Sequence, residues 1–310
     1  MSEYYFCYHK HTDYSLLDSC TNYKDYIDYE VSLGHKATAF TEHGKPSGWV
    51  KKKMYCDSKG IKYIHGVECY LTESLENKVR DNYHTILLAR NYEGVKEINA
   101  LISRSTRSDH FYYVNRVTFD EFFALSNNVI KISACLASPL NKFDKQSPLY
   151  QKLAKAYDYY EIQYHNCIEQ KEYNTYLYYL AQQYGKKLIA ATDTHSLNKY
   201  KGECRKMLLI YKGKSYGTED AFDLSYKSYD ELVAAFREQG VFSDEIFLEA
   251  IAETNRLADS IEDFTLDTKP KYPILYGTIE EDNKRFVDCV NNNFEAKLSN
   301  NIISADKANF

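Results

Sequence analysis

Seven apolar, strand-like runs alternate with helical stretches through the first 192 residues of this 310-residue chain, and that alternation sets the fold class. The runs are residues 4–8, 37–41, 61–72, 84–89, 129–134, 159–164 and 188–192. Between them, Thr21 is placed to cap a helix over 22–33 that Gly34 stops, and a helix over 47–59 closes on Gly60. Val95, Ile98, Leu101 and Ile102 fall at helical spacing in 93–103. Thr118-Phe119-Asp120-Glu121 is a capping box, and a long helix over 170–184 ends at Gly185. Strands alternating with helices predict parallel βα units, and seven such units come close to closing a barrel. The expected class is α/β.

The last third departs from that rhythm. A second capping box, Ser228-Tyr229-Asp230-Glu231, precedes an amphipathic run over 244–261. Lys269-Pro270-Lys271-Tyr272-Pro273 is the most linker-like stretch of the chain. The expected organisation is one domain over residues 1–275, followed by a polar, partly helical C-terminal tail over 276–310 that frays at its end.

Composition narrows the function classes. The net charge of −5 disfavours a strongly basic nucleic-acid binder, although bound divalent cations would offset it inside a site. The clusters Lys51-Lys52-Lys53 and Lys186-Lys187 are expected on solvated faces. No apolar run approaches the roughly 18–20 residues of a membrane span. The first residues carry no basic, apolar leader pattern. The eight cysteines include no C-x-x-C pair, so reduced thiols and a cytoplasmic location are expected.

Residues that can bind metal gather where these runs end. His9 and His11 flank one residue after the first run, so in extended chain both rings face the same side and could grip one divalent cation. His43 and Cys135 follow later runs, Glu68 lies inside the third, and Asp193-Thr194-His195 repeats the same-face spacing. His84 is the exception, because it opens its run. Parallel βα barrels collect their working residues at the C-terminal ends of strands. A carboxylate such as Glu68, set between Val67 and Cys69, needs a partner if it is buried. The joint pattern points to a site for more than one metal ion.

The order and wording of these fragments resemble the polymerase and histidinol phosphatase (PHP) family. The fragments are His9-x-His11-Thr-x-Tyr-Ser-Leu-Leu-Asp18, Thr41-Glu42-His43-Gly44, Gly66-Val67-Glu68, His84-Thr-Ile-Leu-Leu-Ala, Ser133-Ala-Cys135, Tyr160-Glu161 and Ala191-Thr-Asp193-Thr-His195. The similarity is greatest to the PHP domain that opens the alpha subunit of bacterial DNA polymerase III, and it runs over about residues 4–275. It implies a distorted (β/α)7 barrel with a helical C-terminal extension, holding two or three divalent metal ions. The implied ligands are His9, His11, Asp18, His43, Glu68, His84, Cys135, Asp193 and His195. Glu68 would bridge two metals, with His9, His11 and Asp193 completing one and His84 and Cys135 the other; Asp18, His43 and His195 would hold the third. Glu42 departs from the family's usual aspartate, and His35, His65, His110 and His165 match no ligand position.

The function implied by this resemblance is metal-dependent phosphoester hydrolysis, with Glu68, Asp193 and His11 as the catalytic group. The mixed imidazole, carboxylate and thiolate set suits zinc, manganese or iron better than magnesium. The leading expectation is 3′→5′ exonuclease action on a single-stranded DNA end, with polymerase or replisome subunits as further partners and no membrane. Arg104 and Arg107, with Arg116, are expected as phosphate contacts. The polymerase palm has no counterpart in these residues, so no polymerase activity is expected of this chain; it reads as a free-standing PHP protein or as one piece of a split polymerase. Two other readings stand beside it: a small-molecule phosphatase of the histidinol-phosphatase type, and a structural module whose metals serve stability.

Overall fold

The computed structural model describes residues 4–76, 78, 82–213, 215, 222–271 and 273–304. Residues 1–3, Tyr272 of the linker-like stretch and residues 305–310 of the tail lie outside them. The chain divides into two units, Met1–Phe264 and Thr265–Phe310.

The first unit is built on β1 (Ala37–Phe40), β2 (Lys62–Thr72), β3 (Tyr83–Ala89), β4 (Val117–Thr118), β5 (Val129–Ile132), β6 (Tyr159–Gln163) and β7 (Lys187–Ala191). Among the described residues these form one curled, mixed sheet ordered β1-β2-β3-β5-β6-β7, with β4 beside the end of β2. Among the described residues ten helices flank it: α1 (Tyr23–Ser32), α2 (Trp49–Lys59), α3 (Tyr92–Ser105), α4 (Phe119–Phe123), α5 (Pro139–Lys142), α6 (Pro148–Ala156), α7 (Ile168–Tyr184), α8 (Lys199–Lys212), α9 (Tyr229–Gln239) and α10 (Asp244–Ser260). The core inside the sheet holds Phe6, Ile64, Ile86, Ile130, Ile132 and Ile189, closed at its base by Leu257 and Ile261. The strands are buried along nearly their whole length, as sheets covered on both faces are.

The architecture is α/β and half-barrel-like, but the sheet is not all parallel. β3 runs against both neighbours, β2 and β5. It enters from a connection after β2 too short to carry a crossover helix, and parallel pairing needs a crossover of a dozen or more residues. This reversal explains His84: the beginning of an antiparallel strand lies level with the far ends of its neighbours.

Residues 4–8 are a second correction, for they form no strand of the sheet. The amide of Phe6 goes to the Thr254 hydroxyl and that of Lys10 to the Thr41 hydroxyl, so side chains take bonds a ladder would use. Around residue 10 the segment still joins the two edges of the sheet. His11 N–H donates to Thr194 O at 2.8 Å, Thr194 N–H to His9 O at 3.0 Å, and Thr41 N–H to Lys10 O at 2.9 Å.

The lysine cluster is a third. Lys52 and Lys53 are only 1% and 2% exposed, Lys52 pairing with Glu42 and Lys53 with Asp57 and Asp263. Helix α1 takes its cap from Asn22, one residue beyond Thr21, through a bond from Lys24 N–H. Both expected capping boxes form, at Thr118–Glu121 and Ser228–Glu231. In the second unit, a third capping box opens α11 (Ile279–Ser299), none of whose residues is buried. Among the described residues no helix is long and apolar enough to cross a membrane, and all eight cysteines are free.

Candidate metal centre

The nine ligand-type residues come together at one end of the curled sheet. His9 Nε2 lies 3.1 Å and His11 Nε2 3.3 Å from Asp193 Oδ1. His9 Nε2 is also 3.6 Å from Glu68 Oε1, which in turn lies 2.8 Å from His84 Nδ1. Cys135 Sγ is 3.6 Å from that same nitrogen. His43 spans two carboxylates, Nδ1 to Glu68 Oε2 at 2.6 Å and Nε2 to Asp18 Oδ2 at 2.9 Å. His195 Nε2 is 3.4 Å from Asp18 Oδ2. Three groups have the proximity a metal ion requires: His9, His11 and Asp193; Glu68, His84 and Cys135; and His11, His43 and His195.

The donor set fits a metal on a second count. His9 Nε2, His11 Nε2 and Asp193 Oδ1 are buried and have no hydrogen-bond partner. Buried polar atoms are nearly always satisfied, and three orphans aimed at one point are what cation ligands look like without their ion. The opposite ring nitrogens, by contrast, are held. His9 Nδ1 meets Glu161 at 2.9 Å, His11 Nδ1 meets Ser15 Oγ at 3.1 Å, and His195 Nδ1 meets the Asp193 carbonyl at 2.8 Å. Fixing one nitrogen orients the other, as outer-shell partners of metal-binding histidines do.

Backbone strain marks the same end. Leu17, Ala134 and Asp193 have φ of 62°, 61° and 46°, in the left-handed region that costs residues with a Cβ. Leu17 precedes Asp18 and Ala134 precedes Cys135, so each strained turn delivers a candidate ligand.

Burial disfavours charge on the carboxylates, yet the imidazoles hold them ionised. Glu68, beside His84 and His43, and Asp193, beside His9 and His195, both sit well below the usual carboxyl range. Burial also opposes the charge on His43, but bonds to Asp18 and Glu68 raise it to about 10. Burial and the nearby His43 and His195 push His11 down to about 3, leaving a neutral imidazole with a lone pair to offer.

The centre opens into a cavity of about 520 Å³ lined by Leu16, Tyr70, Asn82, Val114 and Leu224 beside the ligand-type residues. Arg205 and Lys212, both on α8, also line it. Arg104 and Arg107 do not: Arg104 lies 3.3 Å from Glu121 and Arg107 3.9 Å from Asp109, both well exposed. Arg116 is buried, its guanidinium donating to the carbonyls of His110 and Leu75.

The sequence reading missed the supporting shell. Glu161 accepts from Tyr8 Oη as well as facing His9. A buried mid-strand carboxylate needs a partner, and that requirement singles out Glu161 as it does Glu68. Glu42 accepts from Thr12 N–H, both hydroxyls of Thr12 and Ser15, and Lys52, so it organises the loop that sets His11. Arg205 donates Nε to Asp18 O and Nη2 to Asp18 Oδ1, each at 2.7 Å. Nothing near Asp18 in sequence announces it.

A PHP-domain family model matches residues 8–173, more than half of the chain, and the chain belongs to that family. Among curated relatives, the DNA polymerase III subunit alpha of Borreliella burgdorferi is 29% identical over 300 residues, covering 88% of this chain and 25% of its own length. That of Thermus aquaticus is 26% identical over 298 residues, covering 88% and 24%. The chain thus spans about a quarter of the length of these relatives. Among solved structures, a candidate metal-dependent phosphoesterase from Bifidobacterium adolescentis aligns at 13% identity and a TM-score of 0.47, covering 76% of this chain and 96% of that one.

Two expectations follow from the geometry. Glu161→Gln should weaken metal binding about 10–100-fold, the cost typical of an outer-shell partner, in a competition titration against a chelator. A loss under about threefold would remove Glu161 from the shell, by the same scale. The second concerns pH. With its folded value raised to about 10, His43 is protonated at neutrality, and a divalent cation must displace that proton. The proton-linked stability of the metal-free chain is full below His43's unfolded value of about 6.5 and fades as pH rises toward 10. Metal affinity should therefore climb with pH over that window, by up to about tenfold per unit for each proton released. Calorimetry in buffers of different ionisation enthalpy would count the protons; release of none contradicts this reading.

Proposed function

We propose that this chain is a metal-dependent phosphoesterase that trims single-stranded DNA from a 3′ end, working in the cytoplasm alongside polymerase or replisome subunits. The observation that carries the reading is the convergence of the three unpartnered buried atoms of His9, His11 and Asp193 on one point, beside Glu68, His84 and Cys135. Two or three divalent ions, of zinc, manganese or iron, would be held by the nine residues. Such ions, when bound, polarise a phosphoryl oxygen and make hydroxide available from water near neutral pH.

The chain's own groups do the rest. Glu161 and Ser15 keep His9 and His11 in one tautomer with Nε2 turned inward. Arg205 holds Asp18 so that its second oxygen faces His43 and His195. Tyr70, Leu16 and Val114 line the cavity that would receive the phosphoryl group. Membership of the PHP family and relatives that are DNA polymerase III alpha subunits favour DNA over a small phosphomonoester.

The test is hydrolysis by the metal-reconstituted chain of a 3′-ended oligonucleotide, compared with histidinol phosphate and an aryl phosphate. Stepwise loss of nucleotides from the 3′ end is expected. Robust turnover of histidinol phosphate with none of any oligonucleotide would make the chain a small-molecule phosphatase. Metal binding with no hydrolysis of any ester would leave the structural module.

A further inference from the structure

The chain is acidic overall, but α8 is not: between Lys199 and Lys212 it carries five lysines and arginines, Lys199, Lys201, Arg205, Lys206 and Lys212, against one carboxylate, Glu203. At about 100° per residue, positions 200, 207 and 211 fall within about 20° of one line along the helix. They are Tyr200, Met207 and Tyr211, which are 73%, 67% and 88% exposed. Lys201, Arg205 and Lys212 lie along one side of this stripe, and Lys199 and Lys206 along the other.

Two members of the first row, Arg205 and Lys212, face the metal centre, for they line its cavity. The second borders a neighbouring cavity of about 470 Å³ that shares Arg205 and Leu224 with it. Local pairing consumes only part of this charge. Arg205 is committed to Asp18 and Lys206 meets Glu203 at 2.9 Å. Lys201 donates to the Cys20 carbonyl, and among the described residues neither Lys199 nor Lys201 has a carboxylate within ion-pair distance.

We propose that α8 is the docking face for a single-stranded polynucleotide whose end enters the metal centre, an inference that rests on phosphoester hydrolysis there. A large exposed tyrosine near each end of a helix, flanked by cations on both sides, matches what an unpaired strand offers: flat bases to stack on and phosphates to neutralise. A small phosphomonoester would need the cavity but not the stripe. A protein partner would be expected to bury a broad apolar patch, whereas here Tyr200, Met207, Tyr211 and the adjoining Ile210 form a narrow strip bordered by cations.

The experiment measures binding of a fluorescent oligothymidylate to the full chain by anisotropy, with chelator present so that nothing is cleaved, and separately aryl phosphate turnover after metal reconstitution. Tyr200→Ala and Tyr211→Ala should each weaken oligonucleotide binding about fivefold or more. The Lys199→Ala, Lys206→Ala double variant should reduce the slope of log affinity against log salt by about 1.4. None of these changes should alter aryl phosphate turnover. If these variants bind like the parent while an Arg104→Ala, Arg107→Ala variant binds weakly, the strand docks elsewhere and the α8 proposal falls although hydrolysis stands. If the parent binds no oligonucleotide yet hydrolyses the aryl ester, the proposal falls together with the polynucleotide reading. If the parent hydrolyses nothing, it is the phosphoesterase reading that fails, and unchanged anisotropy across the α8 variants is then what overturns this one.

Discussion

Asp193→Asn and Glu68→Gln are each expected to lower phosphoester hydrolysis by well over a hundredfold and to reduce bound metal by at least one ion per chain. Losing an outer-shell partner already costs about 10–100-fold, and these two residues stand where the ions themselves would sit. Asp193 Oδ1 lies within 3.3 Å of both His9 Nε2 and His11 Nε2, and Glu68 contacts His9, His43 and His84. Each replacement keeps the side-chain shape and removes the anionic charge. The fold should survive, because Asp193 Oδ1 takes part in no hydrogen bond that holds the chain, while glutamine at 68 keeps a carbonyl acceptor for one of its two imidazole partners, His43 or His84. Circular dichroism should match the parent. Parent-like turnover in either variant would remove that residue from the chemistry, and unfolding of both would favour a structural role for the site.

Lys10→Met should destabilise the domain by about 3–5 kcal/mol, the usual consequence of leaving one member of a buried ion pair alone. Lys10 is between the two leading histidines, and alternation turns its side chain away from theirs. Its ammonium is fully buried against Glu30, bonds Thr38 Oγ1 at 3.0 Å and lies 4.7 Å from the Phe40 ring centre. Glu30 has Tyr226 Oη as a further neighbour, but no other cation is paired with it among the described residues. Chemical denaturation would measure the loss. A Lys10→Met, Glu30→Leu double variant should recover much of it, since an apolar pair of similar volume can replace a buried ion pair. A single variant within 1 kcal/mol of the parent, well short of that range, would show the pair to be dispensable.

The same two-residue periodicity explains what could be read from the sequence and what could not. Same-face spacing put His9 with His11 and Asp193 with His195, and strand ends put His43 and Cys135 near them, so the grouping of ligand types was visible in the chain. Period two says nothing of strand direction, so the sequence pattern does not tell that β3 runs against β2 and β5. Residues 4–8 read as a strand because they are apolar and extended, yet the Thr254 hydroxyl takes the Phe6 amide there. Lys52 and Lys53 look like surface lysines in any composition-based reading; only the positions of Glu42 and Asp263 bury them.

Some of the omissions had signals. Ser138-Pro139 and Ser147-Pro148 are cap-and-proline helix starts, and they open α5 and α6. Arg205 had none, because its partner Asp18 is 187 residues away. Arg104 and Arg107 lie between strands in the sequence, whereas the cations that line the cavity come from α8.

Metal content, measured on protein purified without chelator and again after reconstitution with zinc, manganese or iron, tests the central claim most directly. At least two ions per chain are expected, with anomalous diffraction placing one among His9, His11 and Asp193 and another among Glu68, His84 and Cys135. Less than one ion per chain, with none taken up on reconstitution, would contradict it.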